Sequence, residues 1–256
     1  YEEAASVASS DDASEDAAPA ASEITVTKVR PAPEISQLTA LDFPDVTETS
    51  LPNGIKVYYA QRDAVPATRV TISFDAGSAA DPIDKRGLEG LTLGLMDEGT
   101  TTLNSRELAE AQERLGANIS TGGGVDRSTF TLSSLSANLE PSLELLADVV
   151  RNPAFDPAEI ERIRAQTVTS IQQSLKSPSG LAYYVASPLV YGADNPYGGS
   201  GTVESVGALT RDDLVNFKQT WLRPDNATVF VVSNLPLAEV MPDLEEAFGN
   251  WAAPAT

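Results

Sequence analysis

The sequence predicts an α+β domain in which a mainly antiparallel sheet is covered by helices. Three observations carry this. Short alternating apolar runs come in pairs around turn residues. Helical stripes also come in neighbouring pairs, and the regular strand–helix alternation of a doubly wound parallel sheet is absent. With 256 residues, 41% of them hydrophobic, the chain can bury one sizeable core or two small ones.

Residues 47–51 and 55–60 flank Pro52-Asn53-Gly54 and read as a hairpin. The run 67–76 alternates through Val70, Ile72 and Phe74, as a half-buried strand does. Residues 87–98 are Leu-rich and predict a buried helix. Residues 105–115 predict an amphipathic helix with Leu108, Ala111 and Leu115 inward and Gly116 as its stop. Residues 117–121 and 127–135 flank Gly122-Gly123-Gly124 and give a second strand pair, followed by a helix over 139–150.

Asp156-Pro157-Ala158-Glu159 is a strong helix start: Asp caps, Pro takes the first turn, and Glu can reach back. Ile160, Ile163, Val168, Ile171 and Leu175 give that helix an apolar stripe. Thr210-Arg211-Asp212-Asp213 starts another helix, with Leu214, Phe217 and Trp221 inward. A strand over 227–232 and a helix over 237–248 close the domain.

The first 45 residues differ. They hold ten acidic and two basic residues and almost nothing large and apolar before Ile24, too little to offset the entropy of ordering. The expected organisation is a disordered or extended acidic segment over 1–45, with a strap containing Pro31, Pro33 and Pro44, and a single α+β domain over 46–256. The segment reads as an interdomain linker or as a loose terminus.

Composition also excludes function classes. Thirty-seven acidic against 17 basic residues give a net charge of −20, which repels phosphate backbones and anionic headgroups. No nucleic-acid partner is therefore expected, and since no apolar run approaches the roughly 20 residues needed to span a bilayer, no membrane insertion is expected either. The opening Tyr1-Glu2-Glu3 is no basic n-region, so no signal peptide is expected, and the missing initial Met suits a processed or excised chain. There is no Cys and no His. Thiol nucleophiles, thiolate metal sites, the commonest general base and the commonest zinc ligand are all gone. Carboxylates, Ser, Lys, Tyr and Arg remain.

Individual motifs are weak. Gly122-Gly123-Gly124 lacks the Gly-Lys-Ser/Thr of a phosphate loop and reads as a hairpin loop. Asn118-Ile119-Ser120 and Asn226-Ala227-Thr228 fit the glycosylation acceptor pattern, which is common by chance. Asp97-Glu98 is an acidic pair on which nothing else converges. Glycines at 90 and 94 inside a helical pattern cost about 1 kcal/mol each relative to Ala, which suits close packing.

The stretch Gly87-Leu88-Glu89-Gly90-Leu91-Thr92-Leu93-Gly94, closing with Gly99-Thr100, resembles the zinc-binding helix of the pitrilysin/insulinase metallopeptidases. The catalytic pattern of that family reads Gly-Leu-Ala-His-x-x-Glu-His. Laid on it without a gap, the first His falls on Gly90, the Glu on Leu93 and the second His on Gly94. Two His four residues apart hold zinc from one helix face, and the Glu works as general base on the metal-bound water. The family's third ligand, a Glu on a later helix, falls on Ser170.

The resemblance extends over about residues 45–252. It includes the hairpin at Leu51-Pro52-Asn53-Gly54, the turn Gly77-Ser78-Ala79-Ala80-Asp81-Pro82 and the passage Glu113-Arg114-Leu115-Gly116-Ala117 with Ser120 and Asp126. It continues through Asn195-Pro196-Tyr197-Gly198, residues 209–214, and Arg223-Pro224-Asp225-Asn226.

The resemblance implies a pitrilysin or mitochondrial-processing-peptidase-like fold, in which domains of this size build two halves around a chamber. This chain resembles the first domain of the half whose zinc motif has eroded. It implies no catalytic residue, metal or cofactor here, with Gly90, Leu93, Gly94 and Ser170 as the degenerate positions. Zinc is expected in a catalytic half, upstream in the same polypeptide or on a separate subunit, and peptide is the expected substrate. The alternatives are a scaffolding subunit of a membrane-protein complex with the same fold and, with least support, a hydrolase that works without His. The domain borders resemble those of bacterial members. A periplasmic or secreted location is favoured over a cytoplasmic one.

Overall fold

The computed structural model describes residues 43–253. The expectations for residues 1–42 lie outside them. Six strands form one sheet: β1 (Val46–Ser50), β2 (Lys56–Gln61), β3 (Ala67–Phe74), β4 (Asn118–Gly123), β5 (Ser128–Leu135) and β6 (Ala227–Ser233). Their order is β1-β2-β6-β3-β5-β4. Every pairing is antiparallel except β2 with β6, which is parallel. The mainly antiparallel α+β architecture is as the sequence predicts. The central place of β6, between two strands that are consecutive in the chain, is not something its pattern announces.

The pleat sorts each strand into two faces. Register brings Tyr59, Val231, Val70, Leu132 and Ile119 into one row, and Val57, Val229, Ile72 and Phe130 into the next. All nine are buried. On the other face Tyr58, Phe230, Thr71 and Thr131 align. Tyr58 and Phe230 stack there with centroids 5.5 Å apart, and Phe230 stays 44% exposed. One sheet face therefore builds the core, and the other is open across the described residues.

Helices α1 (Leu88–Met96), α2 (Ser105–Leu115) and α3 (Leu139–Arg151) follow the predicted stretches. After them come α4 (Pro157–Ser174), α5 (Pro178–Tyr191), α6 (Val203–Ala208), α7 (Arg211–Trp221) and α8 (Leu237–Phe248). Leu143, Leu146, Val149 and Val150 of α3 and Val240, Leu244 and Phe248 of α8 are buried in one apolar cluster with the inner sheet face. Full burial of each such side chain contributes about 1.5–3 kcal/mol. Caps set the boundaries: Asn104 and Glu107 form a capping box on α2, and Thr210 and Asp213 form one on α7.

Four expectations change in detail. Gly122 and Gly123 belong to β4, so the hairpin loop starts at Gly124. Asp156 caps α4 through Ala158 N–H, but Glu159 turns to Arg162, at 2.6 Å, instead of reaching back. Of the α4 stripe only Ile160 and Ile171 are buried, and Leu175 is 40% exposed. Helices α5 and α6 carry no stripe clear enough to announce them.

Candidate functional site

Helix α1 is held at its start by a side chain far from its own cap position. Gly87 precedes the helix at φ 93°, in the left-handed region that favours glycine. The first N–H groups of a helix have no partner within it. Here the Asp81 carboxylate takes two of them, Oδ2 from Gly87 N–H and Oδ1 from Glu89 N–H, both at 2.9 Å. The turn that carries Asp81 is anchored in its own right. Ser78 and Ala79 N–H donate to the Gly124 and Val125 carbonyls, both at 2.9 Å. A Cβ on Gly77 would stand 2.4 Å from the Gly124 carbonyl oxygen, so only glycine fits there.

Around α1 the side chains separate by face. Leu91, Leu95 and Met96 enter the core, and so does Leu93, at 3% exposure. Gly90 and Gly94, four residues apart, share another face. A Cβ on Gly90 would meet nothing within 4 Å, and one on Gly94 would meet only Ile163 of α4, at 3.7 Å. Ser170 lies exposed on α4. It lines a depression of about 400 Å³ with Gln166, Thr167, Ile171, Ser174, Tyr183 and Tyr184. A second depression of about 360 Å³ shares Ile171 and Tyr184 and runs on past Leu175, Pro188 and Arg86. Together they form a groove between α4 and α5, largely apolar and tyrosine-lined.

The stretch Asn195-Pro196-Tyr197-Gly198 closes one end of this region. Arg86 donates to the carbonyls of Ala193 and Asn195, both at 2.8 Å. Tyr197 Oη donates to Asp126 Oδ1 at 2.5 Å, an acceptor that pushes the phenol pKa up. Two fragments quoted above from distant parts of the sequence, Asp126 and Tyr197, thus meet. Asp97 and Glu98 do not converge on a substrate position. Glu98 receives Arg162 at 2.5 Å and the Ser105 hydroxyl at 3.0 Å, and burial raises the Asp97 carboxyl.

The group that sequence reasoning missed is Glu89. It is 4% exposed and accepts from Ser128 Oγ at 2.9 Å. Burial, then the nearby charge of Asp81, raises its pKa to about 7. Burial likewise raises Asp81 to about 6, against the pull of its backbone donors and of Arg86. A signal was present: Glu89 stands where the catalytic pattern has Ala, a small apolar residue, in a helix otherwise rich in Leu.

A zinc ion does not suit the residues at the aligned positions. Two offer no side chain, one is a core leucine and one is a hydroxyl. Among the described residues no group of three or more His, Cys, Asp or Glu is placed to hold a metal. With those donors no step through a zinc ion is derived at these four positions.

The fold and the frame around helix α1 together define a peptidase-like domain, with Gly90, Leu93 and Gly94 at the aligned helix positions. The family described as Insulinase (Peptidase family M16) matches residues 56–184, about half of the chain, and the Peptidase M16 inactive domain matches residues 208–255. The chain belongs to peptidase family M16.

The crystal structure of a peptidase M16 inactive domain from Pseudomonas fluorescens is similar at TM-score 0.76 and 26% identity, over 83% of this chain and 53% of that one. The uncharacterized zinc protease YmxG of Bacillus subtilis is 21% identical over 202 residues, 78% of this chain and 49% of that protein. Cytochrome b-c1 complex subunit 1 of Bos taurus is 25% identical over 175 residues, 68% of this chain and 36% of that one. The periplasmic protease PqqL of Escherichia coli shares the fold at TM-score 0.72 and 17% identity, over 85% of this chain and 25% of that one. The chain spans about half or less of the length of the curated relatives it matches, 49% of the Bacillus subtilis protein and 36% of the Bos taurus subunit.

Proposed function

We propose that this chain is a non-catalytic domain of an M16 peptidase, one that shapes the chamber and orients peptide for a separate zinc-bearing half. The observation that carries the reading is the state of α1 and α4. The helix frame is intact, while Gly90, Leu93, Gly94 and Ser170 supply neither a ligand set nor a general base. What the chain offers instead is surface: the groove beside Ser170, and the strands β1 and β4, which are the sheet edges among the described residues and can take an extended peptide by strand addition. Positioning of this kind is worth orders of magnitude in rate without any chemistry of its own. Zinc belongs to the other half, in the same polypeptide or on a partner subunit. A location outside the cytoplasm accompanies this reading, supported by the likeness to a periplasmic protease.

The test is reconstitution. The chain, joined to the remainder of its own half, is mixed with the zinc-bearing half, and cleavage of an unfolded peptide is followed. A rise in kcat/KM of tenfold or more is expected, with none from this chain alone. If the zinc-bearing half is fully active by itself and its kcat and KM do not move, the chamber-wall reading fails. Cleavage by this chain alone in the presence of a chelator overturns the whole assignment. The likeness to a cytochrome b-c1 subunit favours a second reading, scaffolding of a membrane-protein complex. Co-purification with such a complex, with peptide cleavage unaffected, would select it.

A further inference from the structure

Glu89 is a buried acid with no ion-pair partner among the described residues. Its carboxylate fills space that only glycine leaves open: a Cβ on Gly123 would lie 2.7 and 2.8 Å from Oε1 and Oε2. Its carboxylate accepts from a neutral hydroxyl, Ser128 Oγ on β5. A charge that acts on it is another buried carboxylate, Asp81, itself 7% exposed and bound to the same first turn of α1. Among the described residues neither acid makes a salt bridge.

The other charges on the elements around α1 are engaged elsewhere. Arg86 binds the carbonyls of Ala193 and Asn195. On the β4–β5 hairpin Arg127 reaches Ser73 at 3.5 Å and Asp75 at 3.7 Å, and Asp126 takes Tyr197. On α4, Arg162 lies between Glu98 and Glu159, and Arg164 binds Glu161 and the Leu209 carbonyl. On α7, Asp213 holds Lys85 at 2.5 Å, and Lys218 donates to the Arg151 carbonyl at 2.8 Å. Asp97 lies beyond the far end of α1.

We propose that Glu89, Ser128 and Asp81 form a proton-operated latch between the first turn of α1 and the β4–β5 hairpin, closed while Glu89 is protonated and loosened once it is ionised. The protonated acid is a neutral group in a neutral slot. It leaves Asp81 free to serve the helix N–H groups as an anion, the charge that end of a helix favours. Ionising Glu89 puts a second negative charge into the same water-poor space, where two carboxylates oppose each other. The cost is relieved by opening the slot to water, which lifts the start of α1 off Ser128 and Gly123. The face carrying Gly90 and Gly94 moves with that turn. The inference concerns the attachment of α1 and holds whatever the wall does in a larger assembly.

The sign follows from linkage. Both acids have folded-state pKa values above their ordinary ones, so their contribution is present at low pH and is lost as pH rises, through about 6 for Asp81 and about 7 for Glu89. Between pH 6 and pH 8 the loss from Glu89 amounts to about tenfold in the opening equilibrium.

Amide hydrogen exchange on the full chain, corrected for intrinsic rates, reads this at the start of α1 and at Ser128. Protection should fall about tenfold from pH 6 to pH 8. Glu89→Gln keeps the acceptor for Ser128 and should remove the tenfold share that Glu89 carries, leaving at most the smaller one from Asp81. If it shows the same fall as the parent, or if the parent shows none, the latch is refuted. Direct NMR titration of the Glu89 side-chain carboxyl in the unaltered chain decides independently of whether the variant folds. A midpoint near 7 supports the proposal, and one in the ordinary carboxylate range overturns it.

Discussion

Helices α1 and α5 are made of similar material and are treated in opposite ways. Both are mostly apolar, α1 through its four Leu and Met96 and α5 through Leu, Val, Ala and Tyr, and α5 has no charged residue at all, yet seven of the nine residues of α1 are buried and none of the fourteen of α5. Helix α1 packs on β4, α4 and α7, whereas α5 leans chiefly on α4 among the described residues. Position relative to the sheet, not apolar content, decides which is core. The reverse also holds: the sheet-side surroundings of α1 enclose a carboxylate, while the exposed turns of α5 leave Leu189 79% and Val190 71% exposed.

The contrast can be broken by mutation. Leu95→Ala removes a side chain that is 1% exposed and should cost about 2–5 kcal/mol in urea unfolding. Leu189→Ala in α5 should stay within about 0.5 kcal/mol. Equal losses would abolish the distinction. Gly77→Ala forces a methyl against the Gly124 carbonyl in the turn that anchors Asp81. It should cost about 1–3 kcal/mol and expose the start of α1 to exchange. Gly90→Ala should do the opposite, stabilising by about 0.5–1 kcal/mol, because the space beside it is empty and alanine favours helix. A loss there would show that the groove face is tighter than its geometry. Tyr197→Phe removes the hydroxyl that meets Asp126. With Tyr197 42% exposed, a loss of about 0.5 kcal/mol is expected from thermal unfolding at neutral pH.

Much of this was legible in the sequence, and the reasons divide by range. Periodicity and caps are local, so Asp156 and Thr210 mark helix starts and Val70, Ile72 and Phe74 mark a buried strand face. Helix α5 was missed because a helix apolar all round has no stripe to read. The parallel pairing of β2 with β6 joins residues more than 170 apart, and no local pattern encodes it. At the site, the empty positions Gly90 and Gly94 could be read because a motif frame surrounds them. The Asp81–Glu89–Ser128 group could not, because its members come from a turn, a helix and a strand, and only the fold brings them together.

The insertion of β6 also governs the order of assembly. Strands β2 and β3 are joined by a short connection yet never touch as neighbours; the slot between them waits for residues 227–233. During synthesis most of the core helices emerge before the strand that completes the middle of the sheet. Until it arrives, β2 and β3 each present an unpaired edge, the kind that recruits foreign strands. A chain cut short of β6 would keep nearly all its helices and still be the species most prone to aggregate, and folding should be slow for its size because its decisive contact is among the most distant in sequence.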